Sequence, residues 1–301
     1  MITTFDSAIQ LRKRIVTPQP DQRRLKRVRL TGKILARIAS APWGRKAVLF
    51  ARRFGLGRSI LDWGTGFRRA FPTLEAARLG AAAYLPFDHS HPDNATLHLQ
   101  LAERLRPSDY PVLFHLQNMD RIDSVFDLGG NVGNLFYSYG PHILRLKTAS
   151  WRVCDVPSIA SLGEALAKDR NESRLSFVSE LTSLADADVL LVSGSLHYFE
   201  ETLPQMLARQ LLKPKHVIVN RTPLLANRSV CTVQDAVTFL AACKMHSRDA
   251  LVSGMQELGY QCVDEWTVPE LSLIVPCFPE LSAPLYSGLY FRLGAPAEVK
   301  P

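Results

Sequence analysis

From residue 124 onward, short apolar runs alternate with longer stretches of helical periodicity. Strands are predicted in SVFDLGG, WRVCDV, LSFVS, DVLLVSGSL, HVIVNRTP, YQCVDEWTV and SGLYFRL. Helices are predicted in NLFYSYGPHILRL, with a kink at Pro141, in SIASLGEALAKD, in ETLPQMLARQLL and in a long stretch from about residue 232 to 258. This alternation is typical of parallel βαβ units.

The pattern predicts three segments along the chain. Residues 119–301 form an α/β domain, a Rossmann-like seven-stranded sheet with helices on both faces and a reversed strand at one edge. Residues 61–118 form a mostly helical extension: Pro72 can start a helix through TLEAARLGAAAY, LHLQLAERL is a second amphipathic run, and LDWGTG at 61–66 is interpreted as a loop. Residues 1–60 form a basic helical arm.

The charge is concentrated in that arm. The chain of 301 residues has a formal net charge of +8, but residues 1–60 hold 15 Lys and Arg against 2 acids. Apolar residues recur at near-helical spacing between the cations of residues 25–39. Such a helix can lie on an anionic membrane surface or pack on the protein with its charges in solvent. Nucleic acid is a weaker alternative, because no DNA- or RNA-binding motif occurs; a mitochondrial targeting segment is another.

Cysteine spacing and hydropathy bear on disulfides, bound metals and transmembrane segments. The five cysteines are scattered, without a CxxC pair or a His/Cys cluster. We therefore expect reduced thiols, no bound metal and a cytoplasmic protein, with possible peripheral contact at the inner face of the membrane. No run of about 18 apolar residues occurs, so no transmembrane helix is expected.

The most informative segment is VFDLGGNVGN, where a strand enters a glycine-rich turn before a helix. Glycines there let a ligand approach the backbone, and the helix N-terminus presents free N–H groups to it. The turn departs from the dinucleotide pattern G-x-G-x-x-G because Asn131 stands where a glycine is needed, and this argues against a nicotinamide-dependent reductase. Asn is the residue best able to replace a left-handed glycine. The predicted cofactor-binding residues of this turn are Asp127, Gly129, Gly130, Asn131 and Gly133.

Further cofactor contacts are expected at the ends of the following strands. Asp155 ends the second strand and is suited to accept hydrogen bonds from the two hydroxyls of an adenosine ribose; alternatively it caps the next helix. Ser179 and Glu180 follow the third strand, where an adenine contact is expected. Ser195 follows the fourth strand and is placed in the same site.

Together these segments resemble a poorly characterised bacterial methyltransferase family that is often found near surface-polysaccharide genes. The resemblance rests on FPTLEAARLGAAAY, YPVLFHL, DLGGNVG, WRVCDVP, SGSLHYFEE and NRTP, and it covers about residues 67–265. It implies a class I methyltransferase fold that binds S-adenosylmethionine, and it implies no substrate. The family usually has a glutamate in place of Asp155 and a glutamine in place of His197.

Methyl transfer to a hydroxyl requires alignment of the acceptor and removal of a proton. His197 is the first candidate base, followed by Tyr198 and Glu200; alternatively His197 only bonds a loop, and Glu200 with Glu201 forms the acidic first turn of a helix. Arg221 is the candidate substrate-binding residue for an anionic acceptor; alternatively it pairs with a neighbouring acid.

The predicted function is O-methylation of a small molecule or of a sugar or polysaccharide precursor. The alternative is a catalytically degenerate methyltransferase fold that serves as a binding or scaffold protein in a biosynthetic complex.

Overall fold

The apolar runs form one central sheet in the computed structural model, which describes residues 34, 38, 41–65, 69–82, 105–184, 186–235 and 240–294. Its strands are β1 Ser124–Leu128, β2 Ser150–Cys154, β3 Leu175–Val178, β4 Val189–Ser193, β5 His216–Thr222, β9 Tyr260–Val268 and β10 Tyr286–Leu293. A three-stranded second sheet contains β6 Leu224–Leu225, β7 Val230–Asp235 and β8 Leu240–Ser247.

The described helices precede the sheet and fill the crossovers. They are α1 Pro42–Ala51, α2 Gly55–Thr65, α3 Leu74–Ala82, α4 Asp109–Asn118, α5 Asn134–Tyr139, α6 Pro157–Asp169, α7 Leu203–Ala208 and α8 Arg248–Glu257. Single turns of 3₁₀ helix lie at Leu144–Lys147, Leu181–Leu184, Leu196–Tyr198 and Pro279–Leu281.

The strand order confirms the predicted sheet. It is β3-β2-β1-β4-β5-β10-β9, with β1 to β5 parallel and β10 antiparallel to both of its neighbours. Successive side chains of β1 enter different cores, Val125 on one face of the sheet and Phe126 on the other, as a two-residue period requires. Because the order in which strands are added to the sheet reverses between β1 and β4, a crevice opens at the carboxyl ends of these two strands.

The second sheet corrects one prediction. The stretch 232–258 is a helix only from Arg248, because its first half forms β7 and β8, which pair antiparallel. The side chains of β8 are almost all buried. Helix α3 packs on this hairpin through Leu74 and Ala77, so the second sheet has an apolar partner.

Other boundaries also differ from the predictions. LDWGTG is not a loop, since α2 continues to Thr65. The helix after β1 ends at Tyr139, with Gly140 as its C-cap, instead of kinking at Pro141. YPVLFHL lies in helix α4. The basic amphipathic segment 25–39, apart from residues 34 and 38, and LHLQLAERL up to residue 104 lie outside the described residues. No helix in the described ranges is both long and apolar enough to cross a membrane.

Candidate functional site

A cleft of about 740 Å³ opens at the carboxyl ends of β1, β2 and β4. The structure brings most of the predicted site residues to its wall: Gly129, Gly130, Asn131, Asp155, Ser195, His197, Tyr198 and Arg221. The cleft is within the size range of small-molecule sites, and it lies at the switch point of the sheet.

The side chains of Ser195 and Asp127 pack closely against the glycines of the turn. Gly129 has a φ of +72°, and a Cβ there would lie 2.3 Å from the Cβ of Ser195. A Cβ on Gly130 would lie 2.3 Å from Oδ2 of Asp127. Asn131 adopts a φ of +56°, so the expectation that Asn can replace a left-handed glycine is confirmed. The turn therefore presents backbone to the cleft at these positions.

Asp155 joins the turn to the end of β2. Its Oδ2 accepts a hydrogen bond from the backbone N–H of Asn131 at 2.9 Å, and its Oδ1 accepts one from the N–H of Val156 at 2.8 Å. The pKa of Asp155 is raised, because the effect of burial exceeds the opposing effect of these two donors. A carboxylate has about four acceptor sites, so the two bonds leave acceptor capacity that faces the cleft.

Two predicted cofactor residues lie behind the turn rather than on the cleft wall, which corrects their predicted role. The buried Asp127 accepts a hydrogen bond from Nε1 of Trp151 at 3.3 Å. Burial raises the pKa of Asp127 to about 7. Gly133 is the N-cap of α5 with a φ of +87°, and a Cβ there would lie 2.8 Å from Cδ2 of Leu175. Both residues support the turn from beneath.

Of the two residues predicted after β3, one lies on the cleft wall and the other does not. Ser179 lines the cleft, whereas Glu180 is exposed and lies outside the lining. The Glu180 carboxylate accepts a hydrogen bond from Oγ1 of Thr182 at 3.4 Å. Ser179 is therefore the one of these two residues that lines the cleft.

His197 and Tyr198 form one wall of the cleft in the 3₁₀ turn after β4. His197 is buried, and its ring centroid lies 4.1 Å from that of Tyr198 and 6.0 Å from that of Tyr286. Tyr198 donates a hydrogen bond to Oε1 of Gln234 at 2.9 Å, and Gln234 donates one to Tyr286 at 3.4 Å. Burial raises the pKa of Tyr198, so its phenol stays protonated and acts as a donor.

Glu200 lies away from the cleft, so its predicted catalytic role has no support in the structure. Its side chain is exposed, accepts a hydrogen bond from the backbone N–H of Leu74 at 3.3 Å and lies 3.7 Å from Lys244. It also lies before the first turn of α7, where Thr202 and Gln205 form a capping box. The alternative interpretation of Glu200 and Glu201 as an acidic first turn is therefore wrong as well.

Arg221 reaches the cleft but is held by a carboxylate. Its guanidinium forms a buried ion pair with Asp109, and its Nε donates to Oγ of Ser108 at 2.9 Å. Tyr139 donates to the same carboxylate at 2.6 Å. The backbone of Arg221 has a φ of +51°, a strained value for a residue with a side chain. The alternative of an ion pair is thus realised, although the residue still lines the cleft.

Two further cations, which no motif in the sequence marks, line the cleft. Arg106, just before α4, has its pKa lowered by burial and by the neighbouring Arg221, while Asp109 and Glu270 raise it. Arg78, on α3, is exposed at the cleft. Neither forms an ion pair within 4.0 Å among the described residues. Both precede the main sheet in sequence, Arg78 on a helix and Arg106 just before one, so neither follows a strand of that sheet.

Within the described ranges, no group of three or more His, Cys, Asp or Glu side chains is arranged to hold a metal ion.

The strand order, the reversed β10 between β5 and β9 and the glycine turn after β1 define the class I methyltransferase fold. No protein-family model and no curated protein matches the chain.

Solved structures of methyltransferases are similar to it at low identity. One is the 1,6-didemethyltoxoflavin-N1-methyltransferase of Burkholderia thailandensis with bound 1,6-didemethyltoxoflavin and S-adenosylhomocysteine (19% identity over 69% of this chain and 84% of that chain, TM-score 0.45). Another is the mitomycin 7-O-methyltransferase (15% identity over 86% of this chain and 70% of that chain, TM-score 0.40). A third is an S-adenosylmethionine-dependent methyltransferase of Mesorhizobium loti (14% identity over 62% of this chain and 97% of that chain, TM-score 0.42).

Proposed function

We propose that the protein is an S-adenosylmethionine-dependent methyltransferase that binds its cofactor in the cleft at the ends of β1, β2 and β4. The observation that carries this proposal is the convergence of the glycine turn, Asp155 and His197 on one cavity. Each follows a different strand, and each matches one requirement of the chemistry: backbone approach, ribose binding and proton removal.

The residues present fit this cofactor. The turn at Gly129 and Gly130 has no side chains between the backbone and the cleft, so it can accommodate the amino-acid end of a nucleoside-linked ligand. Asp155 retains acceptor capacity for the two ribose hydroxyls. Ser179 lies at the next strand end, where the base is expected.

When bound, S-adenosylmethionine supplies an activated methyl group, so the protein has to position an acceptor and manage one proton. We propose His197 as the group that takes the proton from an acceptor hydroxyl, because an imidazole can act as a base near neutral pH. Tyr198 stays protonated and donates its one hydroxyl proton to Gln234, so it shapes the wall beside His197 and does not remove a proton.

The charges at the cleft favour an anionic acceptor. Arg221 and Asp109 neutralise each other, and Arg209 pairs with Glu201 at 2.5 Å. Arg106 is then the half-buried cation that can bind a carboxylate or a phosphate group with paired N–H donors. An acidic sugar or a phosphorylated precursor, as in polysaccharide synthesis, fits this description.

Calorimetric titration with S-adenosylmethionine and S-adenosylhomocysteine tests the cofactor site. We expect micromolar dissociation constants for the native chain and binding weakened at least about 100-fold in Asp155→Ala, since a buried acceptor of two ribose hydroxyls is removed. Glu180→Ala is the matched control, because Glu180 is an acid at the next strand end that lies outside the cleft.

The substitution also removes the acceptor of the Asn131 N–H, so a thermal unfolding curve must show that the variant is folded. If the folded native chain binds neither ligand, the enzyme proposal is wrong. If Asp155→Ala binds as tightly as the native chain, the ribose assignment is wrong.

Titration of the S-adenosylhomocysteine-saturated protein with inorganic phosphate tests the anionic subsite. We expect millimolar binding that is about tenfold weaker in Arg106→Gln, because one charged donor pair is lost. Arg121→Gln, which removes an exposed cation outside the cleft, should leave it unchanged at the same ionic strength. Equal binding in both variants would assign the anion to another place on the protein.

A further inference from the structure

Helix α1 carries large aromatic side chains on its solvent side. Trp43, Phe50 and Phe54, the last just beyond the helix, are 70%, 60% and 56% exposed. Trp43, the exposed Ala47 and Phe50 recur at spacings of four and three residues, which places them on one face of α1. The rings of Phe50 and Phe54 pack edge to face, with centroids 5.4 Å apart.

Helix α2 continues this apolar exposure. Leu56 and Ile60, four residues apart on the same helix face, are 77% and 59% exposed. We refer to Trp43, Phe50, Phe54, Leu56 and Ile60 as the α1–α2 apolar surface. Clusters of this kind on a folded protein mark a site of contact with another phase or molecule.

The opposite sides of these helices are already used by the fold. Val48 and Leu61 are buried against Cys277 and Phe278, in the segment between β9 and β10. Arg45 lies 3.8 Å from Glu280. The helices are thus anchored on the body of the protein, and the aromatic face remains turned to solvent.

The stretch of chain that carries this surface has charges of one sign only. Residues 42–61 contain Arg45, Lys46, Arg52, Arg53 and Arg58 and no acid. The first acid after them, Asp62, is buried 3.5 Å from Arg69. Aromatic and aliphatic side chains surrounded by cations are the composition of interfacial helices that bind anionic bilayers.

We propose that the α1–α2 apolar surface docks the protein on an anionic lipid bilayer, with its aromatic side chains at the headgroup level and its cations against lipid phosphates. A second copy of the chain is a poorer occupant, because a two-fold contact would bring two sets of cations together. The lipid surface offers the opposite charge.

The location of the surface gives the docking a consequence for the cleft. The segment between β9 and β10 that carries Cys277 and Phe278 also contributes Leu271 to the cleft wall. Docking would therefore place the wall of the cleft near the bilayer, where a lipid-linked or membrane-delivered acceptor arrives.

Vesicle co-sedimentation tests the proposal with the full chain. The probes are vesicles of phosphatidylcholine alone and of phosphatidylcholine with phosphatidylglycerol. We expect binding only to the anionic vesicles, and at least about tenfold weaker binding for the triple variant Trp43→Ser, Phe50→Ser, Phe54→Ser, which keeps every cation. The matched control is Leu211→Ser with Leu212→Ser, which removes two exposed apolar side chains elsewhere.

Circular dichroism melting shows that each variant is folded, and a second measurement identifies the contact directly. Brominated lipids should quench the fluorescence of the native chain more than that of Trp43→Phe, because Trp43 is the ring at the headgroups. Undiminished binding of the triple variant overturns the proposal and assigns lipid binding to cations elsewhere, such as those that precede residue 42. A dimer in light scattering that the triple variant abolishes overturns it in favour of a self-interface.

Discussion

At the scale of single residues, the turn after β1 shows how local chemistry can be predicted. Asn131 takes the left-handed conformation that its side chain tolerates, and its amide oxygen accepts a hydrogen bond from the N–H of Val132 at 2.9 Å. Gly129, Gly130 and Asp155 directly follow strand ends, so sequence spacing is enough to place them at the cleft. Such residues are predictable because the carboxyl ends of parallel strands meet at one edge of the sheet.

Other site residues have no local signal. Asp109 and Arg221 are separated by more than a hundred residues, and only folding brings them together. Glu180 and Glu200 were chosen because they follow strands, but the chain directs their carboxylates to solvent and to Lys244. Side-chain direction after a strand end depends on loop geometry, which a spacing argument does not contain.

The pKa of Asp127 gives a prediction at this scale. Burial raises it to about 7, whereas the unfolded chain has an aspartate near about 3.9. Between these values the unfolded chain has lost its proton and the native protein has kept it, so this group lowers stability as pH rises. The slope is at most about 1.4 kcal/mol per pH unit, and the effect levels off above pH 7.

Asp127→Asn should therefore gain stability relative to the native chain from pH 4 to 7, since Asn does not titrate and its amide oxygen still accepts from Trp151. Urea unfolding at pH 5, 6.5 and 8 measures the difference. Asp123→Asn, at an exposed position that pairs with Arg121, is the control. A difference that stays constant with pH would mean that Asp127 is already ionised in the native protein at pH 5.

At the scale of elements, the strands of the main sheet were predictable and the β7–β8 hairpin was not. β8 is buried at nearly every position, and an apolar run without alternation does not distinguish a strand from a buried helix. The apolar pattern of α8 continues without a break into the residues before it, so the helix is predicted to begin at about residue 232. The prediction failed because α3 covers one face of the hairpin and residues between Val268 and Tyr286 cover the other, so no polar face marks the strand period.

The packing of α6 on β3 gives a prediction at the scale of elements. Gly163 lies on the buried face of α6, and a Cβ there would lie 2.1 Å from the ring of Phe177. Gly163→Ala should reduce the free energy of unfolding by about 1–3 kcal/mol, because overpacking outweighs the better helix propensity of alanine.

Chemical denaturation measures this loss. Ser161→Ala, at an exposed position of the same helix, should change stability by less than about 0.5 kcal/mol. A stabilised Gly163→Ala protein would show that the helix can move away from β3 at little cost.

At the scale of the whole molecule, the boundary of the cation-rich segment and the start of the sheet fall at different places in the chain. The cations concentrate before residue 61, and the sheet begins at residue 124. Residues between them nevertheless complete the cleft, since Arg78 and Arg106 lie on its wall. The predicted separation of residues 61–118 from 119–301 stays a prediction about chain segments, while the cleft itself is built from both.

The buried pair between Asp109 and Arg221 fixes how the protein can be divided. A fragment that began at residue 119 would contain every strand of the sheet, yet it would leave the buried Arg221 guanidinium at the cleft without its carboxylate. A buried charge that loses its partner is destabilised by about 3–5 kcal/mol. When segments are exchanged between proteins of this fold, α4 and β5 therefore have to be exchanged together.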